Sequence, residues 1–448
     1  MRVDVILWLT CLLACGSDKG QRPGGDDTGT PTGDTGWPCW YTDDCQPLDI
    51  CGNGVDDDAN GLVDEDGCSI GFAWGDRAEQ SFGQYLAVDP HNPAHWAYGG
   101  DASEAWGTVG TARADGIGGL SVGWKLNDPT VSGHFLGLAT VNGESWVSHQ
   151  GVGAEGYESV VLGHLVDAAG STSLELVTEW QIPHSDSEAN TFVSMDLVSV
   201  ADHLELLVGL RRGLAVLIDS PETKSSDDLV RDGKATFYPT VENDDFGAGV
   251  GLMPGGGVDG DMLAMVSSFD EDRPDATIWF FSAETTDLVS TDDAIGWMDL
   301  AMGEGGYPRP AGDLDNDGYA DLILDSGSRS KFLFFGPFVG EQNRDDAVAF
   351  GTSDIDPIGD IDGDGHEDIL ATTAVWEHSL CIIYGPLPHT TMNLDEEGEL
   401  CLGTDLAFSR ATFADVTGDG VGEIVASLSS YSTQSAEDVG LLAAFPLP

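Results

Sequence analysis

From about residue 72 to the C-terminus the apolar positions fall into short runs separated by clusters of Gly, Asp, Asn, Ser and Pro. Runs of that length, alternating or continuously apolar, read as β-strands, and no long 3.6-residue pattern crosses the region. The runs recur in a fixed frame. An aromatic residue (Phe82, Phe135, Phe192, Phe246, Tyr307, Phe350 or Phe408) is followed by a strand and then by a polar turn near Asp89, Asn142, Asp202, Asp259, Asp315, Asp362 or Thr417. A second strand follows each turn, and a third reads WGTVGTA, YESVVLGHL, RGLAVLI, ATIWFF, SKFLFFG, SLCIIYG and VGLLAAF in successive units. A period of roughly 40 to 60 residues with about four short strands marks a propeller blade, since a small twisted sheet cannot bury both faces alone. The frame predicts an all-β, seven-bladed β-propeller over 70–448; the alternative is an acidic β-sandwich or two smaller β domains.

Two of the turns carry a nine-residue pattern, DLDNDGYAD over 313–321 and DIDGDGHED over 360–368. Asp313, Asp315, Asp317 and Asp321, and likewise Asp360, Asp362, Asp364 and Asp368, occupy positions 1, 3, 5 and 9 around a Gly at position 6. The carbonyls of Tyr319 and His366 at position 7 would complete an all-oxygen shell suited to Ca2+. Position 12, a bidentate Glu in helix-flanked calcium loops, is Leu324 or Ala371, and each loop runs directly into an apolar strand. A weaker copy spans 415–423, with Asp415, Thr417, Asp419, Glu423 and the Val421 carbonyl; the three copies start 47 and then 55 residues apart.

Phe-Gly pairs, DxDxDGxxD loops and the following apolar strand resemble FG-GAP repeats, the blades of the integrin α-chain head. The resemblance covers about 72–448, with a close metal-loop match at Asp313 and Asp360. It implies bound calcium that holds the scaffold, and a ligand surface on the opposite rim, in blade-connecting loops. It also implies that the ring is closed by a strand from IGFAWGD, just ahead of the first blade, and that catalysis, where present, resides in an added domain.

The N-terminus changes the picture. Residues 1–14, MRVDVILWLTCLLA, carry an Arg, an apolar run and a small residue, which reads as a secretory signal too short to span a bilayer. LLAC resembles a bacterial lipobox in which Cys15 becomes the acylated first residue, and Gly16 after it implies display on the outer membrane or cell surface. The following stretch to residue 37 is rich in Gly, Asp and Thr and reads as a flexible tether. Six cysteines then remain, Cys39, Cys45, Cys51, Cys68, Cys381 and Cys401. The first four suit disulfide staples within a small segment, 38–69, whose pairing is open, and the last two could bridge neighbouring strands of one blade. Inside the small segment Asp56, Asp58, Asn60 and Asp64, with the Leu62 carbonyl, repeat the calcium spacing. They resemble a short Cys- and Asp-rich metal-binding motif of bacterial surface proteins, and their oxygen donors favour calcium over copper.

The formal charge is −61, and loss of Arg2 and Asp4 with the signal leaves it there. Four calcium ions would return only +8, so most of the charge coats the surface, disfavouring nucleic acid and anionic headgroups. No P-loop or HExxH is present. These features predict a non-enzymatic, lipid-anchored lipoprotein with a monomeric calcium-binding head that binds a protein or glycan. The membrane contact is through the lipid alone. The alternatives are a hydrolase or lyase acting on polysaccharide in the propeller funnel, and a metal-binding surface lipoprotein.

Overall fold

The computed structural model describes residues 71–74, 85–89, 92–100, 107–114, 118–128, 137–152, 158–168, 171–182, 193–210, 213–224, 228–240, 246–268, 276–300, 307–325, 331–350, 354–373, 379–390, 400–403, 408, 410–417, 422–428 and 441–445. Among these the architecture is all-β, the α-helix being the single turn Leu229–Asp232. Among the described residues no helix is long and apolar enough to cross a membrane.

The strands form a β-propeller. Antiparallel meanders of four strands follow one another along the chain: 85–128 (blade 1), 137–181 (blade 2), 193–238 (blade 3), 246–299 (blade 4), 307–350 (blade 5) and 354–403 (blade 6). The three remaining C-terminal strands gain their fourth from the other end of the chain. Gly71–Trp74, within the segment expected to close the ring, pairs antiparallel with Leu441–Phe445, from Gly71↔Ala444 to Trp74↔Leu441. The same strand also pairs in parallel with Gly118–Asp128 of blade 1, through Gly71↔Gly118 and Phe72↔Gly119. That junction fuses the first and last meanders into one eight-stranded sheet, so among the described residues the hydrogen-bonded sheets number six where seven were expected. The eight-stranded sheet holds two four-strand units, blade 1 and blade 7.

The core explains the ring. Its buried side chains form seven clusters, each shared by two neighbouring units. Trp180 of blade 2 packs with Leu206 of blade 3, Phe237 of blade 3 with Phe246 of blade 4, and Phe280 of blade 4 with Phe338 of blade 5. Leu333 and Ile369 join blades 5 and 6, Leu380 and Phe445 blades 6 and 7, and Tyr98 and Leu442 close the circuit from blade 7 to blade 1. Val147 and Ala97 connect blades 1 and 2. At roughly 25 cal/mol per Å² of apolar surface removed from water, each interface stabilises both sheets that form it. Polar bridges add register: Asp196 of blade 3 accepts from the Leu252 amide of blade 4 at 2.8 Å, and Arg309 of blade 5 pairs with Asp356 of blade 6 at 2.8 Å. Inner strands approach closely at Gly209, where a Cβ would lie 2.1 Å from the Gly247 carbonyl.

The opening aromatics do not all open blades. Phe246 and Tyr307 lie within first strands, but Phe350 ends the outer strand Val348–Phe350 of blade 5 and is buried in the interface with blade 6. Phe82, Phe135 and Phe192 lie outside the described residues. Of the tryptophans in the described strands, Trp96, Trp146 and Trp180 are buried, Trp279 is half-buried beside Phe246, and Trp297 is exposed.

Cys381 and Cys401 form a disulfide between directly opposed residues of the last two strands of blade 6. The other candidate cysteines, Cys15, Cys39, Cys45, Cys51 and Cys68, lie outside the described residues. A bridge closing a loop of this length, with a separation of 20 residues, contributes about 3 kcal/mol by restricting the unfolded chain. The Cys381→Ala/Cys401→Ala variant should therefore lose about that much stability in urea titration. With reductant present in both samples, parent and variant should share one midpoint; equal midpoints for oxidised parent and variant would show that the bridge contributes nothing.

Candidate metal-binding loops

Both full nine-residue patterns connect the first and second strands of their blades. The loop at 313–321 lies between Tyr307–Pro310 and Leu322–Asp325, and that at 360–368 follows Asp354–Gly359 and leads into Asp368–Thr373. The two fold alike because the same carboxylates cap the same amides. Asp313 accepts from Asp317 (3.0 Å) and Gly318 (2.9 Å), as Asp360 does from Asp364 (3.1 Å) and Gly365 (2.9 Å). Asp315 and Asp362 accept from Asp317 and Asp364 at 3.1 and 3.0 Å. Gly318 and Gly365 take φ of 95° and 94°, which explains the glycine at position 6.

Position 9 ties each loop to the rest of its blade. Asp321 accepts from Leu314 (2.7 Å) across the loop and from Gly336 (3.0 Å) after the third strand; Asp368 repeats this with Ile361 (2.8 Å) and Gly385 (2.9 Å). The two glycines leave room for that reach. A Cβ on Gly336 would lie 2.7 Å from the Ala320 carbonyl, and one on Gly385 would lie 2.4 Å from the Glu367 carbonyl.

In each loop the carboxylates of positions 1, 3 and 9 converge: ligand atoms of Asp313, Asp315 and Asp321 lie within 4.8 Å of one another, as do those of Asp360, Asp362 and Asp368. Position 5 departs from the expected ring. Asp317 and Asp364 are exposed and stand outside the converging sets, each accepting instead from the amide of the position-7 residue, Tyr319 or His366, at 2.9 Å. Burial pushes the Asp321 carboxyl up to about 8, with Asp315 and Asp313 adding to the rise, and it also raises Asp368. Three carboxylates drawn together, one buried, make a donor set that fits a hard divalent cation. Asp313, Asp315 and Asp321, or their counterparts, would hold calcium, which would supply the charge that these carboxylates lack.

The third copy is different. Glu423 takes position 9, accepting from the amides of Val416 (2.8 Å) and Thr417 (3.3 Å), and the Thr417 hydroxyl donates to Glu423 Oε1 at 3.1 Å. That hydroxyl also lies 3.5 Å from Asp415 Oδ1. A threonine thus stands where the other loops place a third carboxylate; Asp419 and Val421 lie outside the described residues. So do Asp56, Asp58, Asn60, Leu62 and Asp64.

Three features escaped the sequence reading. Glu367, the residue before position 9 of the second loop, lies against Gly312 at the head of the first, where a Cβ would collide with its carboxylate. Burial raises its pKa, and Asp313, Asp368 and Asp360 add to the effect. His389 of blade 6 stacks on Phe335 (3.9 Å between centroids) and reaches Asp315 at 2.5 Å. The first loop is therefore gripped by the next blade, with the Leu387 amide also bound to the Leu314 carbonyl at 2.7 Å. The third feature is a His–Glu–Asp cluster in blade 3, His203, Glu205 and Asp219.

No family model matches the chain, and no curated protein matches it. Among solved structures it is similar to the Chaetomium thermophilum Sqt1, with a TM-score of 0.45 and 11% identity over 85% of this chain and 98% of that one. It is also similar to BBS1N in complex with ARL6DN, with TM-scores of 0.42 and 0.45 for mercury- and lead-soaked crystals, identities of 9% and 8%, and coverage of 83% of this chain and 98% of theirs.

A carboxyl held above its unfolded value binds more protons in the folded state, so its contribution is fully present below the unfolded pKa, near 4, and is lost as pH rises through about 8. Chelator-treated protein should accordingly lose stability, on the order of a few kcal/mol, between pH 5 and pH 9. Asp321→Asn should flatten that decline; an equally steep decline in the variant would assign it to other groups. Urea midpoints at each pH provide the measurement.

Proposed function

We propose that this chain is a lipid-anchored surface protein whose β-propeller head is stiffened by calcium and binds a protein or glycan, without catalysing a reaction. The observation that carries the reading is the duplicated loop in blades 5 and 6, whose three converging carboxylates are tied by position 9 to the glycine after the third strand. Calcium in such a loop fixes the turn between two strands of the ring, and blades 5 and 6 share a core and the Arg309–Asp356 ion pair. The metal thereby acts on a scaffold, leaving loops elsewhere on the ring for recognition.

The N-terminal signal, with Cys15 as its acylated residue, places the head outside the cell through the tether of 16–37. The large negative charge keeps such a head soluble and directs it away from nucleic acid toward a neutral or basic surface, or a glycan held through cations. The ligand sits on the rim opposite the metal loops.

Calorimetric titration of the full chain with calcium should reveal sites lost in Asp313→Ala and Asp360→Ala, one for each variant. Saturation at a thousandfold excess over Kd should stabilise the parent by about 4 kcal/mol for each site, and each variant by one site less. Binding to an array of glycans and basic proteins should weaken when calcium is chelated and return when it is restored. Absence of calcium uptake, or a melt that calcium does not move, would overturn the calcium-stiffened scaffold; turnover of a polysaccharide would overturn the non-enzymatic reading.

A further inference from the structure

Blade 3 carries a charged cluster of a different chemistry. His203 and Glu205 are two residues apart on the strand His203–Leu210, so both side chains project from one face of the sheet. Register places Glu205 directly opposite Asp219 on the strand Leu214–Asp219. Opposed like charges destabilise a sheet unless a cation answers them. Lys234 answers one, with Nζ at 3.0 Å from Glu205 Oε1. The Glu205 side chain is only 2% exposed, however, and its Oε2 has no hydrogen-bond partner. Burial holds the Glu205 carboxyl above its ordinary value despite the lysine.

The geometry is close to a coordination shell. His203 Nε2 lies 3.3 Å from Asp219 Oδ1 and 3.7 Å from Glu205 Oε1, and ligand atoms of all three residues lie within 4.8 Å of one another. The edge of a tetrahedron with bonds of about 2.0 Å is roughly 3.3 Å, so small side-chain rotations would bring the three donors onto one ion. Ser220 donates to the same Asp219 Oδ1 at 3.2 Å, fixing the position of that oxygen. His203 and Asp219 are 30% and 46% exposed, which leaves the cluster open on one side above the buried Glu205.

An imidazole with two carboxylates is not a calcium set, since calcium takes oxygen; it suits zinc and related divalent ions. We propose that His203, Glu205 and Asp219 form a transition-metal site, with Zn2+ as the ion and the fourth position facing solvent. The competing arrangement is a salt-bridge network with a protonated His203; it adds one positive charge and still leaves Glu205 Oε2 without a partner. The proposal stands apart from the calcium loops, which lie in other blades and contribute oxygen.

The test is zinc titration of the full chain in excess calcium, by calorimetry and by visible absorption of the cobalt(II)-substituted protein. The expected result is one ion whose affinity falls more than about tenfold in His203→Ala and in Asp219→Asn, with loss of the tetrahedral cobalt absorption. Asp313→Ala and Asp360→Ala should retain both signals. Melts in chelator verify that the variants fold; if His203→Ala is destabilised there, the more exposed Asp219→Asn carries the comparison. Zinc uptake unchanged in both blade 3 variants, or no uptake beyond theirs, would overturn the proposal and leave His203 in a salt-bridge network.

Discussion

Burial of both faces of every blade is the constraint on which this molecule depends. A four-strand sheet standing alone would expose one apolar face whichever side it packed, so each unit needs two neighbours and the series has to close on itself. Closure falls to a short antiparallel pairing, Gly71–Trp74 against Leu441–Phe445, and the whole of that last strand is buried. The seven shared clusters make the interfaces mutually dependent: removing one unit would uncover the flanks of two others. The close contact of Gly209 with the Gly247 carbonyl shows how tightly neighbouring inner strands are held.

Against this apolar framework the aspartate loops introduce opposing charge where first and second strands meet. Asp321 and Asp368 receive amides from their own loops and from Gly336 and Gly385, which begin the connection after the third strand. The same carboxylate therefore sets the loop, starts the second strand and positions the next turn. Such a residue cannot retreat into solvent to escape its neighbours, and burial accordingly raises its pKa. In blade 7 the longer Glu423 performs the capping while Thr417 replaces one acidic partner. The structural half of the motif thus persists where its charge is diluted, so capping and the gathering of carboxylates are separable demands on the same sequence.

The frame of first, second and third strands was legible because these strands are buried, β-rich and divided by turns that require Asp, Asn or Gly. Six of the seven anticipated polar turns fall between the first and second strands of their units, and Asp89 ends the first strand of blade 1. Outer strands were less legible: GEQ and VAF are too short for alternation to register, and GEQ at Gly340–Gln342 adds in parallel to the edge of the preceding blade as a fifth strand. Asp287–Ser290 likewise joins the edge of blade 3 although it follows a strand of blade 4 in the chain. Local pattern encodes strand character but not which edge will accept the strand. Spacing also revealed the converging carboxylates at positions 1, 3 and 9, yet not the outward turn of Asp317 and Asp364, which local amide hydrogen bonds decide. Glu367 and His389 reach the first loop from the next blade, and Asp219 meets His203 and Glu205 across a strand pair. No linear spacing expresses those meetings.

A chain of formal charge −61 attracts every cation, and this general field cannot choose among them. It concentrates calcium and zinc alike at the surface, screened over roughly 8 Å at physiological salt. Choice must come from the donors held at short range. The aspartate loops present oxygen alone, while blade 3 adds the His203 nitrogen to two carboxylates and draws Lys234 against one of them. That ammonium disfavours any ion bound weakly, so a cation held beside it must form strong bonds to the imidazole and the free carboxylate oxygen. Net charge thus raises the supply of ions, whereas the sheet register that brings Glu205 opposite Asp219 decides which of them can remain.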